Sequence, residues 1–193
     1  MNHQQIQRLE KEWWENNKFD VRSLWGRYTV GFSPHMPEGT IDHVADVGCG
    51  PIPFFCTYDI WATHRVAIDP LFEEYSYIDF YSQFRDDGGE IEWHRKVEDV
   101  KSNQFDVVFA LNMLDHVELP GEMVVHLIRL LKPGGRLFLF VDIDKPPDQM
   151  HPHSIKEQWV RQALSPLETV MVKIEKSWKF PNYVMWYVGD KHG

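Results

Sequence analysis

A chain of 193 residues, 43% of them hydrophobic, is long enough to bury a full core, and its length suits one domain better than two. With 20 Lys and Arg against 29 Asp and Glu, the formal net charge is −9 and no clustered basic run is present. Both facts weigh against nucleic acid as a partner, because phosphate binding draws on grouped cations. Two cysteines are too few for a disulfide framework, the N-terminus MNHQQIQRLEKEWW is polar, and no apolar run reaches membrane-spanning length, so a soluble cytoplasmic protein is expected.

Ile6, Leu9 and Trp13 fall at helical spacing among polar residues, and Trp14 widens that stripe, which predicts a short amphipathic helix over residues 3 to 18. Phe19 to Pro37 is aromatic and irregular around Gly26 and Gly31, and reads as a cap or lid. Residues 1–40 are thus expected to form an N-terminal helical cap, part of the same domain as a core over 41–193. From His43, HVADVG is a strand ending in Gly48, IPFFCTYDIWAT has helix-compatible length, and RVAID is a second strand. Residues 72 to 85 carry aromatics in helical register, Asp86-Asp87-Gly88-Gly89 breaks the run, and IEWHRKV and FDVVFAL are the third and fourth strands.

Pro120 opens a helix whose apolar face is Met123, Val124, Leu127, Ile128 and Leu131, Lys132-Pro133-Gly134-Gly135 stops it, and RLFLFVDI is the fifth strand. Ser154 and Glu157 carry a capping-box signature for a helix through Trp159 to Leu164. ETVMVKIEKSW and YVMWYVG flank Pro181-Asn182 as a closing β-hairpin, with Lys173, Lys176 and Lys179 on a solvated strand face. Strands alternating with helices predict an α/β, doubly wound, mostly parallel seven-stranded sheet with an antiparallel last strand.

Chemistry concentrates at the strand tips. Asp46-Val47-Gly48-Cys49-Gly50-Pro51 lies at a strand-to-helix junction, where glycines serve either close approach to a ligand or tight packing. Asp69 ends the second strand 19 residues after Gly50; it suits either two ribose hydroxyls or a helix N-cap before Pro70, and the spacing favours ribose. The loop lacks the Gly-Lys-Ser/Thr ending that cradles triphosphates, and Pro53 stands where a dinucleotide fingerprint has its third glycine.

VADVGCGP, VAIDP, VED, FDVVFALNMLDHV and LLKPGGRLFLFVDI follow one another in the order and spacing of class I S-adenosylmethionine-dependent methyltransferases, and the chain resembles that family over about residues 41 to 143. LDHV and the later HPHS look like its small bacterial members. The resemblance implies a Rossmann-like methyltransferase fold with S-adenosylmethionine as cofactor. By similarity Asp46, Gly48 and Gly50 surround the methionine moiety, Asp69 holds the ribose, and Val97 and Glu98 contact adenine, with Asp99 in reserve and Lys96 where many relatives have an acid. Ala110, Leu111 and Asn112 then pass beside the sulfonium, and Asn112 lies outside the Asn-Pro-Pro-aromatic motif of nucleobase amino-group methylation.

Methyl transfer is an in-line displacement that chiefly needs positioning, with a base only when the nucleophile is protonated. Asn112, His116 and His153 are the candidates at the reacting atoms; Trp14, Trp25, Tyr28 and His151 are candidates for a substrate lid. The plainer alternatives are that the histidines shape loops and the aromatics pack the lid's own core. No residue is assigned to a metal, His151 and His153 with Asp142, Asp144 or Asp148 being the minor alternative. The expected activity is methylation of a small molecule by a monomer or homodimer. Its rivals are an inactive cofactor-binding scaffold, other chemistry on the same cofactor, and nucleic-acid methylation.

Overall fold

A computed structural model describes residues 3–16, 21–56, 60, 62–75, 90–177 and 182–193. Seven strands form one sheet: β1 (Ile41–Val47), β2 (Ala62–Ile68), β3 (Ile91–His94), β4 (Phe105–Leu111), β5 (Leu131–Ile143), β6 (Leu167–Lys176) and β7 (Tyr183–Lys191). Their order is β3-β2-β1-β4-β5-β7-β6. The first five pair in parallel, and β7 enters antiparallel between β5 and β6, as the apolar closing hairpin predicts. The helices are α1 (His3–Asn16), α2 (Val21–Phe32), α3 (Phe72–Tyr75), α4 (Pro120–Leu130) and α5 (Glu157–Ala163), and none among the described residues is long and apolar enough to cross a membrane.

Central strands buried on both faces need continuous apolar runs, and FDVVFAL and LFLFVDI supply them. On one face, Trp25, Tyr28 and Phe32 of α2 pack on Phe109, Phe138, Phe140 and Trp186; on the other, Leu127 and Leu130 of α4 and Val160 of α5 cover Val108, Leu137, Leu139 and Tyr187. α4 begins with Pro120 in its first turn, where the missing N–H costs nothing. Its last turn carries Arg129, whose guanidinium donates to the carbonyls of Val97 (2.6 Å) and Val100 (2.7 Å) and so pins the turn after β3. Arg136 on β5 meets Asp190 on β7 through paired hydrogen bonds of 2.7 and 2.8 Å, across the antiparallel register that sets these two residues opposite each other.

Several local expectations give way to tertiary packing. α1 buries Ile6 and Trp14, with Leu9 and Trp13 only partly covered, so its inward stripe is rotated from the expected one. The segment expected to be irregular contains a regular helix, α2, because Gly31 lets the helix lie directly on the Trp186 ring: a Cβ there would fall 2.2 Å from it. After β1, where a helix was expected, the chain forms a 3-10 turn at Phe54–Cys56; Pro51 and Pro53 restrict the preceding backbone, and residues 57–59 and 61 lie outside the described residues. Of the helix expected over 72 to 85, α3 is described, and residues 76–89, including the Asp86–Gly89 breaker, lie outside, as do Phe19, Trp178, Lys179 and Pro181.

The capping box is also corrected. Ser154 does not cap α5: Lys156, extended at φ −108°, precedes Glu157 and no side chain caps the helix. Ile155 is buried and its carbonyl accepts the Asp144 N–H at 2.9 Å, which holds this segment extended and delays the helix. β5 starts at Leu131, so Lys132-Pro133-Gly134-Gly135 belongs to the strand's irregular first residues, where the pairing with β4 shifts register between Phe105 and Val107.

Candidate active site

The strand order reverses between β2 and β4, with β1 between them, and open α/β sheets bind ligands at the carboxyl ends of strands beside such a switch point. Asp46 pairs with Ala67 on one side and Phe109 on the other, so the loops after β1, β2 and β4 open onto the same edge.

Gly48 and Gly50 adopt φ of +67° and +62°, a left-handed conformation that side chains disfavour. A Cβ on Gly48 would sit 2.5 Å from Met113, and one on Gly50 would sit 3.3 Å from the Trp14 ring of α1. The loop is tied to the neighbouring strand twice: the Gly48 N–H donates to the Ile68 carbonyl at 2.7 Å, and the Gly50 N–H donates to Asp69 Oδ2 at 2.9 Å. Asp69 Oδ1 accepts the Leu71 N–H at 2.9 Å. The capping and ligand readings of Asp69 are therefore compatible, since an ionised carboxylate accepts about four hydrogen bonds and backbone donors occupy two. Asp46 is likewise buried, and its Oδ2 accepts the Phe54 N–H at 2.6 Å, which draws the 3-10 turn against β1.

Burial dominates the electrostatics of this edge. It pushes Asp46 up to about 7 and Asp69 up to about 6, even though the backbone N–H groups of Phe54, Leu71 and Gly50 pull them down. Glu10 of α1, half-buried, rises to about 8 through burial and the charges of Asp69 and Asp115, against a hydrogen bond with Trp14. Asp115 is 1% exposed and is pushed up to about 7 by burial and by Asp142. The carboxylates suit a positively charged adenosine ligand, and the loop needs glycine because a Cβ at Gly48 or Gly50 would run into Met113 or Trp14, which close on it.

The other expected residues are distributed as follows. Ala110 and Leu111 are buried at the end of β4, and Asn112 turns the chain there with φ +59°, its N–H donating to the Phe140 carbonyl at 2.8 Å. Val97 is buried at the start of a 3-10 turn, whereas the Glu98 side chain is 60% exposed and lies 3.4 Å from His126 of α4, directed to α4 rather than into the collar. Trp14, Trp25 and Tyr28 all belong to the aromatic core, with the Trp25 indole N–H donating to the Ile52 carbonyl at 3.2 Å. His116 and His151 meet with ring centroids 4.3 Å apart, while His153 is drawn off to the Glu118 carbonyl at 3.1 Å. Burial, with His151 and Lys145 nearby, lowers His116 to about 3, which makes it a poor proton acceptor at neutral pH.

Glu10 and Asp115 are the members of the collar that sequence reasoning passed over. Glu10 carried a readable signal: it stands at i+4 from Ile6 and i−4 from Trp14, a charge inside the stripe that α1 buries.

Residues 45–139 match the methyltransferase domain family, a span that runs from β1 into β5 and contains the glycine loop, Asp69 and the end of β4. Together with the strand order, this places the chain in the class I S-adenosylmethionine-dependent methyltransferases. A ubiquinone biosynthesis O-methyltransferase of Nitrosococcus oceani is 35% identical over 66 residues, which is 32% of this chain and 28% of that relative. Among solved structures, the N-methyltransferase NodS of Bradyrhizobium japonicum, in complex with S-adenosyl-L-homocysteine, superposes with a TM-score of 0.67 at 14% identity, covering 98% of this chain and 97% of that one. The 1,6-didemethyltoxoflavin-N1-methyltransferase of Burkholderia thailandensis, with 1,6-didemethyltoxoflavin and S-adenosylhomocysteine bound, gives 0.70 at 15% identity, covering 97% and 88%.

Proposed function

We propose that this chain transfers a methyl group from S-adenosylmethionine to a small-molecule acceptor. The observation that carries the reading is the Asp69 carboxylate, which ends β2 and is hydrogen-bonded to the Gly50 N–H of the loop after β1, inside the span that matches the methyltransferase domain. In this reading Asp69 keeps two lone pairs for the ribose hydroxyls, Gly48 and Gly50 let the backbone approach the methionine moiety, and Asp46 holds the loop through Phe54. Val97 supplies an apolar wall for the adenine end, Ala110 and Leu111 end β4 beside the sulfonium, and the exposed Glu98 becomes the weaker adenine candidate.

When bound, the cofactor supplies an electrophilic methyl group on a positively charged sulfur. The protein's share is positioning, charge and exclusion of water. Asp69 provides negative potential for a cation, and a bound positive charge favours ionisation of the neighbouring Glu10 and Asp115. Trp14 closes α1 over Gly50, and Asn112 stands at the end of β4, where the acceptor approaches. A small acceptor accords with an acidic chain, and the compartment that fits its two cysteines is the cytoplasm. His116 and His153 bear on the acceptor by shaping the β4 and β5 loops. The test is calorimetric binding of S-adenosylhomocysteine followed by an acceptor screen for its release from S-adenosylmethionine. Failure of the folded protein to bind either compound would falsify the reading.

A further inference from the structure

Beside the collar, and sharing Asp115 with it, lies a second cluster. Asp115 and His116 follow β4, His151 lies in the loop after β5, and one ligand atom from each lies within 4.8 Å of the other two. Among the described residues, neither carboxylate oxygen of Asp115 and neither ring nitrogen of His116 has a hydrogen-bond partner, although all four atoms are buried. Buried polar atoms in folded proteins are nearly always satisfied, so four orphans in one cluster ask for a ligand.

The geometry separates the candidates. A carboxylate orienting a catalytic imidazole sits at hydrogen-bond distance, roughly 2.6–3.2 Å, whereas Asp115 Oδ1 and His116 Nε2 are 4.0 Å apart. Bonds of about 2.0–2.2 Å from each donor to one ion bridge such a gap with a small contraction. His151 is prepared in the way metal ligands are: its Nδ1 hydrogen-bonds Asp148 Oδ1 at 2.7 Å, and the same oxygen accepts the His151 backbone N–H at 2.9 Å. With Nδ1–H donating to Asp148, the lone pair falls on Nε2. Formal charge agrees: Asp115, Asp142 and Asp148 stand near one cation, Lys145, which pairs with Asp148 at 3.5 Å.

We propose that Asp115, His116 and His151 bind one divalent transition-metal ion, with Asp148 orienting His151. Two imidazoles and a carboxylate suit zinc, manganese or iron and leave coordination positions open, the pattern of a catalytic rather than a structural centre. The role of the ion rests on the methyl-transfer reading: it receives an oxygen of the acceptor at the carboxyl ends of β4 and β5. A hydroxyl bound there loses its proton to solvent more readily and is held as the nucleophile. The acceptor class is then a hydroxylated small molecule. The metal pair differs from the sequence alternative, since His116 replaces His153, whose Nε2 faces Glu118.

The experiment strips the full chain with chelator, dialyses it and titrates it with Co²⁺, followed by displacement with Zn²⁺. One equivalent is expected, with a visible Co²⁺ band that Zn²⁺ bleaches. His151→Gln should abolish the band, and Asp148→Asn should weaken uptake by about 10–100-fold. Both positions lie in a loop, so they carry the test if Asp115→Asn misfolds, with circular dichroism checking each variant. Absence of uptake by the wild-type chain overturns the site. So does undiminished uptake by folded His151→Gln, which would put the ion elsewhere, for instance at the stacked His43 and His64 rings. S-adenosylhomocysteine binding to stripped protein is measured alongside: cofactor binding without metal uptake sinks the metal site alone, and metal uptake without cofactor binding sinks methyl transfer alone.

Discussion

Asp69 joins the two halves of the proposed cofactor site, because one side chain ties Gly50 and Leu71 while keeping acceptor capacity. Asp69→Asn should weaken S-adenosylhomocysteine binding by about 1–3 kcal/mol, roughly 5- to 150-fold, as measured by calorimetry. Unchanged affinity would remove the ribose assignment. The raised acids also make opposed predictions in pH. Between the ordinary carboxylate value of 3.8 and about 7, folded Asp46 holds a proton that the unfolded chain releases, so ligand-free stability is greatest below that window and falls as pH rises through it. Asp69 adds the same slope up to about 6. Affinity for cationic S-adenosylmethionine should do the reverse and rise over this range as the two carboxylates ionise. Melting curves and titrations from pH 5 to 8 check both signs, and Asp46→Asn should flatten the stability slope.

α2 shows how an element is decided by what it rests upon. Two glycines make VRSLWGRYTVGF a poor helix by propensity, yet Trp25, Tyr28 and Phe32 emerge on one side and pack on Phe54, Phe140 and Trp186. Gly31 permits the approach, and its replacement by Ala would place a methyl carbon 2.2–2.6 Å from three carbons of the Trp186 ring. Gly31→Ala should therefore cost about 1–3 kcal/mol of stability as overpacking. Gly26, with nothing within 4 Å of its Cβ position, is the control: Gly26→Ala should be neutral or stabilising. Denaturant midpoints of the two variants test the contrast, and equal effects would contradict the packing account.

At the scale of the whole molecule, α1 at the start of the chain covers a loop made by β1, and the sheet brings the loops after β2, β4 and β5 to the same edge. Trp14 over Gly50 and Glu10 beside Asp69 make this helix the roof of the proposed cofactor site. Ligand binding to the folded state should slow opening of what it touches. Added S-adenosylhomocysteine is thus expected to slow amide hydrogen exchange in residues 3–16 as well as in residues 48–56, and Trp14→Ala should abolish the effect in α1 while retaining it in the loop. Exchange in α1 that ignores the ligand would separate the helix from the site.

The alternation of apolar runs with glycine and proline punctuation was enough to read a parallel sheet, the closing hairpin, and the glycine loop with Asp69 at neighbouring strand tips. Those features are local: side-chain period and turn chemistry are written in consecutive residues. The helix of α2, the late start of α5 and the direction of Glu98 were not legible, because each is decided by a distant partner: Trp186, Asp144 and His126 respectively. Glu10 joining Asp69, and His151 rather than His153 joining His116, likewise depend on which strands lie side by side. Long-range pairing has no local signature, since loop closure costs nearly the same for many alternative partners and only packing of the finished core selects among them.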